Sequence, residues 1–265
     1  MHNTNENRRA LKTRLRGRKR AFAGWTSLSH PSVTEILARS GVDFIGIDLE
    51  HSTISQEQSQ RIMAACQGNG TLCLPRIASH SMEAIKRLLD SGADGIIVPM
   101  VNTPGEVEQL ISWCKYPPLG KRSFGIARGQ GYGFDFHDHT KGWNESSALI
   151  IQIESIQGVE NIDKMISYPE VDGARIGPYD LSGSLGVPGL LDHPLVAAAE
   201  KTVIAACARH GKACGTQVIE PDRDNVQAAF AAGYTFVVLA SDIFILWKWS
   251  KTARTIICEA KGDGA

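Results

Sequence analysis

The stretch Gly41-Val-Asp-Phe-Ile-Gly-Ile-Asp-Leu-Glu-His51 decides how the rest of the chain is read. A helix-ending glycine, Gly41, leads into an apolar run, Phe44-Ile-Gly-Ile47, that stops on Asp48, Glu50 and His51. A short apolar run bounded this way reads as a buried strand. Ionisable groups at the C-terminal end of such a strand are the layout of parallel α/β enzymes, whose sites gather at that edge of the sheet. One acid there would be read as a cap for the next helix. Two acids and a histidine, with the arrangement repeated further along, point to a site.

Working outward, Ala21–Ser27 reads as a first strand, and a helix follows to Ser40 with Pro31 in its first turn. Ser55 is placed to cap a helix running through Cys66. Leu72–Ile77 is the third strand, Met82–Asp90 a helix closed by Ser91-Gly92, and Gly95–Met100 the fourth strand. Pro104 starts a helix to Lys115. From Tyr116 to Ala148 the alternation breaks. That stretch holds Pro117, Pro118, several glycines, Arg122, Arg128, His137 and His139, and its length marks a functional loop.

Regularity returns with strand five, Leu149–Glu154, and a helix from Val159 to Ser167. Gly173–Gly177 is strand six, running into Pro178-Tyr-Asp180, and a helix spans Pro194–His210. Strand seven is Ala213–Val218, Asp222–Ala232 is helical, and strand eight is Thr235–Ala240 ahead of a last helix, Ile243–Glu259. Near-continuous apolar runs imply strands covered on both faces. Eight of them alternating with helices predict a (β/α)8 TIM barrel rather than an open doubly wound sheet.

Composition agrees with one soluble domain: 265 residues, 43% hydrophobic and 21% charged. No apolar run approaches the roughly 20 residues that span a bilayer, and no apolar segment follows the N-terminal charges as a signal peptide requires. The six cysteines form no CxxC pair, so a cytoplasmic protein with reduced thiols and no membrane association is expected. The zero net charge conceals an asymmetry. Arg8–Arg20 carries eight Lys or Arg and no acid, which leaves 20 basic against 28 acidic residues elsewhere. Residues 1–20 are therefore read as a basic arm and 21–265 as the barrel. The arm could touch nucleic acid or a membrane surface, or form an amphipathic helix with Leu11 and Leu15 facing the body. No aromatic residue interleaves its charges, so no nucleic-acid partner is expected.

In a barrel the strand ends converge on one face. That brings together Asp48, Glu50 and His51, Arg76, Gln152 and Glu154, and Asp180. Glu154 and Asp180 suit a hard divalent ion, Mg2+ or Mn2+, with water completing its shell. Gln152 and Glu154, two apart on a strand, share a face. Arg76 offers a planar permanent charge for a carboxylate or enolate oxygen. His51 can exchange a proton near neutral pH, oriented by Asp48 or Glu50. Each also has a structural reading: Glu154 and Asp180 as helix caps, Arg76 as the ion-pair partner of Asp48 or Glu50. Together those readings leave several ionisable groups facing one pocket with no ligand to balance them. His137-Asp-His139 has a spacing that could ligate a metal, but its glycine-rich setting points to solvent exposure, and His30, His80, His193 and His210 read as surface residues near helix ends. Trp247 and Trp249, two apart on the last helix, read as anchors of a subunit interface.

On these residues the chain resembles the HpcH/HpaI aldolase family of metal-dependent, class II pyruvate aldolases. The matching motifs are Ile47-Asp-Leu-Glu-His51, Pro75-Arg76, Leu88-Leu-Asp-Ser-Gly92, Val98-Pro-Met-Val101, Tyr116-Pro-Pro-Leu-Gly-Lys-Arg122, Gln152-Ile-Glu154 and Ile176-Gly-Pro-Tyr-Asp-Leu-Ser182. They run in order through nearly all of the chain after residue 20. The resemblance implies Glu154 and Asp180 as metal ligands for Mg2+, Mn2+ or Co2+. It implies Gln152 on the pyruvate moiety, with Pro178 and Ser182 also at the substrate, and Arg76 on the keto-acid and its enolate. His51 with Asp48 would form an acid/base dyad, and Asp90 would reach a neighbouring subunit's site. A last helix swapped between protomers is implied too, in a hexamer built as a trimer of dimers.

Three positions depart from the pattern: Ser123-Phe124 where glycine often follows the arginine of the Tyr-Pro-Pro loop, Arg175 where strand six is usually apolar, and Leu49 where some members have glycine. The expected activity is reversible cleavage of a 4-hydroxy-2-oxo acid to pyruvate, or a close 2-oxo acid, and an aldehyde. The alternatives are a related metal-dependent C–C lyase or decarboxylase on the same site, and a non-catalytic barrel that binds partners through its basic arm.

Overall fold

Ile45 of the opening stretch pairs in parallel with Gly24 on one side and Cys73 on the other. The same parallel pairing continues strand by strand until β8 returns to β1, with Phe236 beside Ala21. This computed structural model describes residues 4–262, so the outermost residues assigned to the basic arm and to the barrel lie outside the described residues. Among the described residues the sheet is one closed barrel in the order β1 to β8. The elements are α1 (Thr4–Arg16), β1 (Ala21–Thr26), α2 (Pro31–Ala38), β2 (Phe44–Asp48), α3 (Gln56–Gly68), β3 (Leu72–Arg76), α4 (Met82–Asp90), β4 (Gly95–Val98) and α5 (Pro104–Cys114). After a 3-10 segment (Arg128–Gly133) come α6 (Phe136–Ser146), β5 (Ala148–Ile153), α7 (Ile156–Ile166), β6 (Gly173–Ile176), α8 (Pro178–Ser184), α9 (Pro194–Arg209), β7 (Ala213–Val218), α10 (Arg223–Ala231), β8 (Phe236–Leu239) and α11 (Asp242–Lys261). The predicted TIM barrel is the fold.

The strands are buried on both faces, as their apolar runs require. Side chains of one parity, Phe44, Leu74, Ile97, Ile150 and Phe236, fill the barrel interior. Those of the other, such as Ile45, Ile151 and Ile176, pack under the surrounding helices. Each buried Ile or Leu contributes about 1.5–3 kcal/mol, which lets four-residue strands such as β4 and β6 hold their place. Local chemistry sets the helix starts: Ser55 and Thr103 each form a capping box, with Gln58 and Glu106 returning to the cap backbone.

The stretch from Tyr116 to Ala148 differs from expectation. It is not a continuous loop, because α6 occupies its second half. Phe136-His-Asp-His-Thr-Lys-Gly-Trp-Asn-Glu-Ser146 has little helix propensity and a glycine within it. Tertiary anchors override that. Trp143 is fully buried and donates Nε1–H to the Cys114 carbonyl at 2.8 Å, while the Asn144 amide pairs both ways with the Tyr116 backbone.

The basic stretch is the helix α1, with Leu11 and Leu15 buried against the N-terminal end of the barrel. An aspartate leads into each of β2, β4 and β6 and accepts the N–H of the strand before it: Asp43 from Phe22, Asp94 from Cys73, Asp172 from Leu149. Thr235 does the same for β8, from Cys214. The cations of α1 settle on these aspartates. Arg14 meets Asp43 at 3.2 Å, Arg8 meets Asp94 at 2.7 Å, and Lys12 and Arg16 meet Asp172 at 3.2 and 2.7 Å. The charge asymmetry of the sequence is thus an internal complementarity.

At the other terminus, α11 is twenty residues long and only its first residue, Asp242, is buried. Asp242 fastens the helix start to β1, accepting from Thr26 Oγ1 at 2.7 Å and from the backbone N–H of Leu28 at 2.9 Å. Beyond that point Leu246, Trp249 and Ile256 expose an apolar stripe at helical spacing, joined by Ile257, while Trp247, two residues from Trp249, faces another side under Lys251. Among the described residues no helix is long and apolar enough to cross a membrane.

Candidate active site

Strands β2, β3, β5, β6 and β7 end around a cavity of about 170 Å3 lined by His51, Arg76, Gln152, Glu154, Arg175, Pro178, Tyr179, Asp180, Gln217 and apolar neighbours. A larger cavity of about 380 Å3 lies elsewhere, between the C-terminal end of α3 and the 3-10 segment. The smaller one is the candidate site, because it alone of the two gathers the strand-end carboxylates.

Asp48 and Arg76 are paired across β2 and β3. Arg76 donates from Nε to Oδ1 at 3.0 Å and from Nη2 to Oδ2 at 2.7 Å, and its Nη1 stands 3.1 Å from Glu50 Oε2 without the alignment of a hydrogen bond. The ion-pair reading of Arg76 therefore holds alongside its place in the pocket. Burial works to raise the Asp48 carboxyl, but the charge and hydrogen bonds of Arg76, with the His51 N–H and Trp25, outweigh it and hold Asp48 below the usual carboxylate range. Glu50 goes the other way: burial raises it, Arg76 opposes, and Glu154 adds repulsion.

The Asp48–His51 dyad is not formed through the imidazole. Asp48 Oδ1 accepts the backbone N–H groups of Glu50 and His51 at 3.1 and 3.2 Å, and its remaining capacity goes to Arg76, Trp25 and Ser27. The His51 side chain is 67% exposed at the pocket rim, with Nε2 3.8 Å from Glu50 Oε2. Asp48 shapes the loop that carries His51, and Glu50 is the acid beside the ring.

Glu154, just past β5, is buried, with Oε2 accepting the Met100 N–H at 2.9 Å and Oε1 hydrogen-bonded to Gln152. Met100 holds a left-handed φ of 51°, an uncommon conformation for a side-chain-bearing residue that aims its N–H at the carboxylate. Gly177 gives Glu154 its room, since a Cβ there would lie 2.3 Å from Oε1. Asp180 lies in α8, not in a loop, and lines the same pocket with Pro178. Among the described residues no three His, Cys, Asp or Glu side chains are grouped to enclose a metal ion. Two hard carboxylates facing one cavity fit an octahedral ion that keeps water or substrate oxygens as its other ligands.

Asp48, Glu50 and Ser182 fall outside the pocket lining, the first two paired with Arg76, and so does Asp90, which was expected at a neighbouring subunit's site. Ser182 is fully buried, donating to the Tyr179 carbonyl at 2.6 Å and accepting from Gly189 N–H, so it shapes α8. Asp90, at the end of α4, is bound by Arg122 at 3.0 Å and approached by Gln130. His139 is not solvent-exposed as its setting suggested. It is buried and stacked on Trp143 at 4.9 Å, and burial, with Arg8 and Arg122 adding repulsion, pushes its imidazole down to about 3, so the ring is neutral. His137 is exposed.

Residues the sequence reading left out of the site complete it. Arg175 reaches the pocket from the middle of β6 and Gln217 from β7. Trp25 of β1 lies under both guanidinium groups, 5.1 Å from Arg76 and 4.6 Å from Arg175, in space that Gly46 leaves open. The signal for Arg175 was a charge inside an apolar strand. For Gln217 and Trp25 it was only their parity.

The sequence pattern of the HpcH/HpaI aldolase/citrate lyase family matches residues 22–248. The hydroxypyruvate/pyruvate aldolase of Roseobacter denitrificans is 34% identical over 232 residues, covering 87% of this chain and 90% of that protein. The 5-keto-4-deoxy-D-glucarate aldolase of Shigella dysenteriae is 31% identical over 233 residues, 88% of this chain and 90% of that protein. Among solved structures, an HpcH/HpaI aldolase/citrate lyase family protein from Burkholderia cenocepacia superposes with a TM-score of 0.88 at 28% identity, over 94% of this chain and 99% of that one.

Proposed function

Because this chain belongs to the HpcH/HpaI aldolase/citrate lyase family and is a carbon–carbon lyase, we propose that it is a divalent-metal-dependent aldolase. Its reaction is the reversible cleavage of a 4-hydroxy-2-oxo acid to pyruvate, or a close 2-oxo acid, and an aldehyde. The observation that carries this reading is a single pocket where Glu154 and Asp180 stand beside Gln152 and Arg76, with no lysine in its lining. A Schiff-base mechanism needs a lysine; two carboxylates suit an ion.

Glu154 and Asp180 would hold Mg2+, Mn2+ or Co2+, and the bound ion would supply Lewis-acid polarisation of the keto oxygen. The residues of the chain do the rest. Gln152 offers N–H to the oxo acid, and Arg76, anchored on Asp48, presents its remaining N–H donors to the negative charge that grows on the enolate as C3–C4 breaks. His51, at the open rim, takes the proton of the C4 hydroxyl on cleavage, which balances the proton that C3 of the enolate gains as pyruvate forms; on condensation C3 loses a proton and the new C4 oxygen receives one. Tyr179, Leu191, Ile219 and Phe244 form the wall left for the aldehyde half. The exposed apolar stripe of α11 supports a homo-oligomer in which a second copy covers that helix.

Treatment with a chelator tests the reading: cleavage is lost and returns with added divalent ion, and Glu154→Gln or Asp180→Ala loses metal affinity with its thermal transition retained. Inactivation by borohydride in the presence of pyruvate, which traps a lysine adduct, would refute it.

A further inference from the structure

Arg175 is the charged member of an otherwise small and apolar strand, Gly173-Ala-Arg-Ile176. Its register sets it between Gln152 of β5 and Gly215 of β7, and it is 4% exposed. Nη1 donates to Gln152 Oε1 at 2.6 Å, and Nη2 donates to Gln217 Oε1 at 2.7 Å. Its Cζ lies over the Trp25 ring, 4.6 Å from the centroid, and Nε is buried with no hydrogen-bond partner. The direct hydrogen bonds of this buried cation thus go to two neutral amides. That is a costly way to bury charge. What it yields is orientation. An amide whose oxygen is taken can offer only N–H to its other side. For Gln152 one N–H goes to Glu154 and the second is left for the cavity; for Gln217 the N–H side meets the Ala240 carbonyl at 3.4 Å.

We propose that Arg175 is a positioning and specificity-determining residue: it locks Gln152 and Gln217 with their oxygens turned inward, so that Gln152 meets the ligand as a donor. The wall beside Glu154 then recognises a group whose facing atoms are all acceptors, as in a 2-oxo carboxylate. The aldehyde half, lying against the apolar wall, is indifferent to this lock. The inference rests on the 2-oxo acid reading above.

The test is a double-mutant cycle on the full chain with Mn2+ present, in which Arg175→Met removes charge and both hydrogen bonds and Gln152→Ala removes the amide. Calorimetry gives pyruvate affinity, and steady-state kinetics separate KM for each substrate from kcat. Arg175→Met weakens pyruvate binding about 10- to 100-fold, the worth of hydrogen bonds to a charged group, while KM for the aldehyde changes by no more than about twofold. In the Gln152→Ala background the same substitution changes pyruvate affinity by about twofold or less. Arg175→Lys, which keeps charge without the planar fork, falls between. Should Arg175→Met lack a cooperative thermal transition, Arg175→Lys carries the cycle. Full additivity of the two losses overturns the proposal, as does wild-type affinity in the Arg175 variants. Wild-type protein that neither binds pyruvate nor turns over overturns the oxo-acid reading instead.

Discussion

Arg76 holds both carboxylate oxygens of Asp48 in a two-pronged fork at the C-terminal edge of β2 and β3, at 3.0 and 2.7 Å. A fork of this kind is short, planar and specific to arginine. It also sets a pH dependence. Asp48 stays ionised to lower pH folded than unfolded, so the stability it contributes is present above its ordinary value of 3.8 and is lost as pH falls through its lower folded value. Glu50, raised, has the opposite sign: its contribution is fully present below its ordinary value of 4.5 and is lost as pH rises through its higher folded value. Thermal melts of wild type and Asp48→Asn from about pH 2 to 6 check this. The stability gap between them closes in the acid limb, and a gap independent of pH would contradict the assignment.

The same physics applies at the opposite end of the barrel, with a different readout. Arg8 and Asp94 are 3% and 0% exposed in their side chains. Arg8→Met leaves the carboxylate buried with one cation gone, a loss of about 3–5 kcal/mol for a broken buried pair. Asp94 keeps its contacts to the Gln67 amide and the Cys73 N–H, which places the cost toward the lower end. Chemical denaturation is expected to show that loss while kcat of the folded enzyme is unchanged. A fall in kcat with unaltered stability would mean that α1 acts on the site rather than on the fold.

For α11 the expectation concerns assembly. Leu246, Trp249 and Ile256 are 54%, 69% and 59% exposed on one stripe, which a second copy would cover in the proposed homo-oligomer. Trp249→Glu together with Ile256→Glu is expected to reduce the mass found by sedimentation while the far-UV spectrum stays that of the barrel. Wild-type protein sedimenting as a monomer would remove the reason for the stripe.

The barrel was legible because its signal is repeated. Eight apolar runs, each ended by a helix start, leave few topologies, and Met82–Asp90 and Ala213–Val218 have the bounds that pattern predicts. That Arg76, Gln152, Glu154 and Asp180 share one cavity was legible for the same reason, since parity and strand ends fix which residues meet. What the chain hid was long-range. α6 has no local reason to be helical and depends on Trp143 and Asn144 finding Cys114 and Tyr116. Likewise Arg175 was visible as an odd residue, but its partners Gln152 and Gln217 stand 23 and 42 positions away on neighbouring strands. Asp48 makes no direct contact with the His51 ring because its acceptors go to Arg76 and to backbone, which proximity in sequence to His51 does not reveal.

That finding sharpens the separation between His51 and Arg76. The His51 ring is exposed and makes no hydrogen bond to Asp48, so removing it leaves the Asp48–Arg76 fork in place and takes only a neighbour from Glu50. Proton transfer by a positioned side chain contributes about 10²–10⁴-fold, and His51→Ala is expected to slow aldol cleavage by about that factor with pyruvate affinity nearly unchanged. On the proposed reading, Arg76 carries charge that would meet the oxo acid at rest and meet it more strongly in the enolate. Arg76→Ala is expected to weaken pyruvate binding and to slow enolisation, read as exchange of the pyruvate methyl protons with solvent deuterium. It also strands Asp48, which is 5% exposed in its side chain, so the thermal transition falls too. Arg76→Lys restores the charge but cannot span both oxygens of Asp48, and it recovers stability and exchange only in part. Exchange rate, cleavage rate and pyruvate affinity measured together for the three variants decide the matter. Equal proportional losses in all three quantities for His51→Ala and Arg76→Ala would show that the two residues do not divide the work this way.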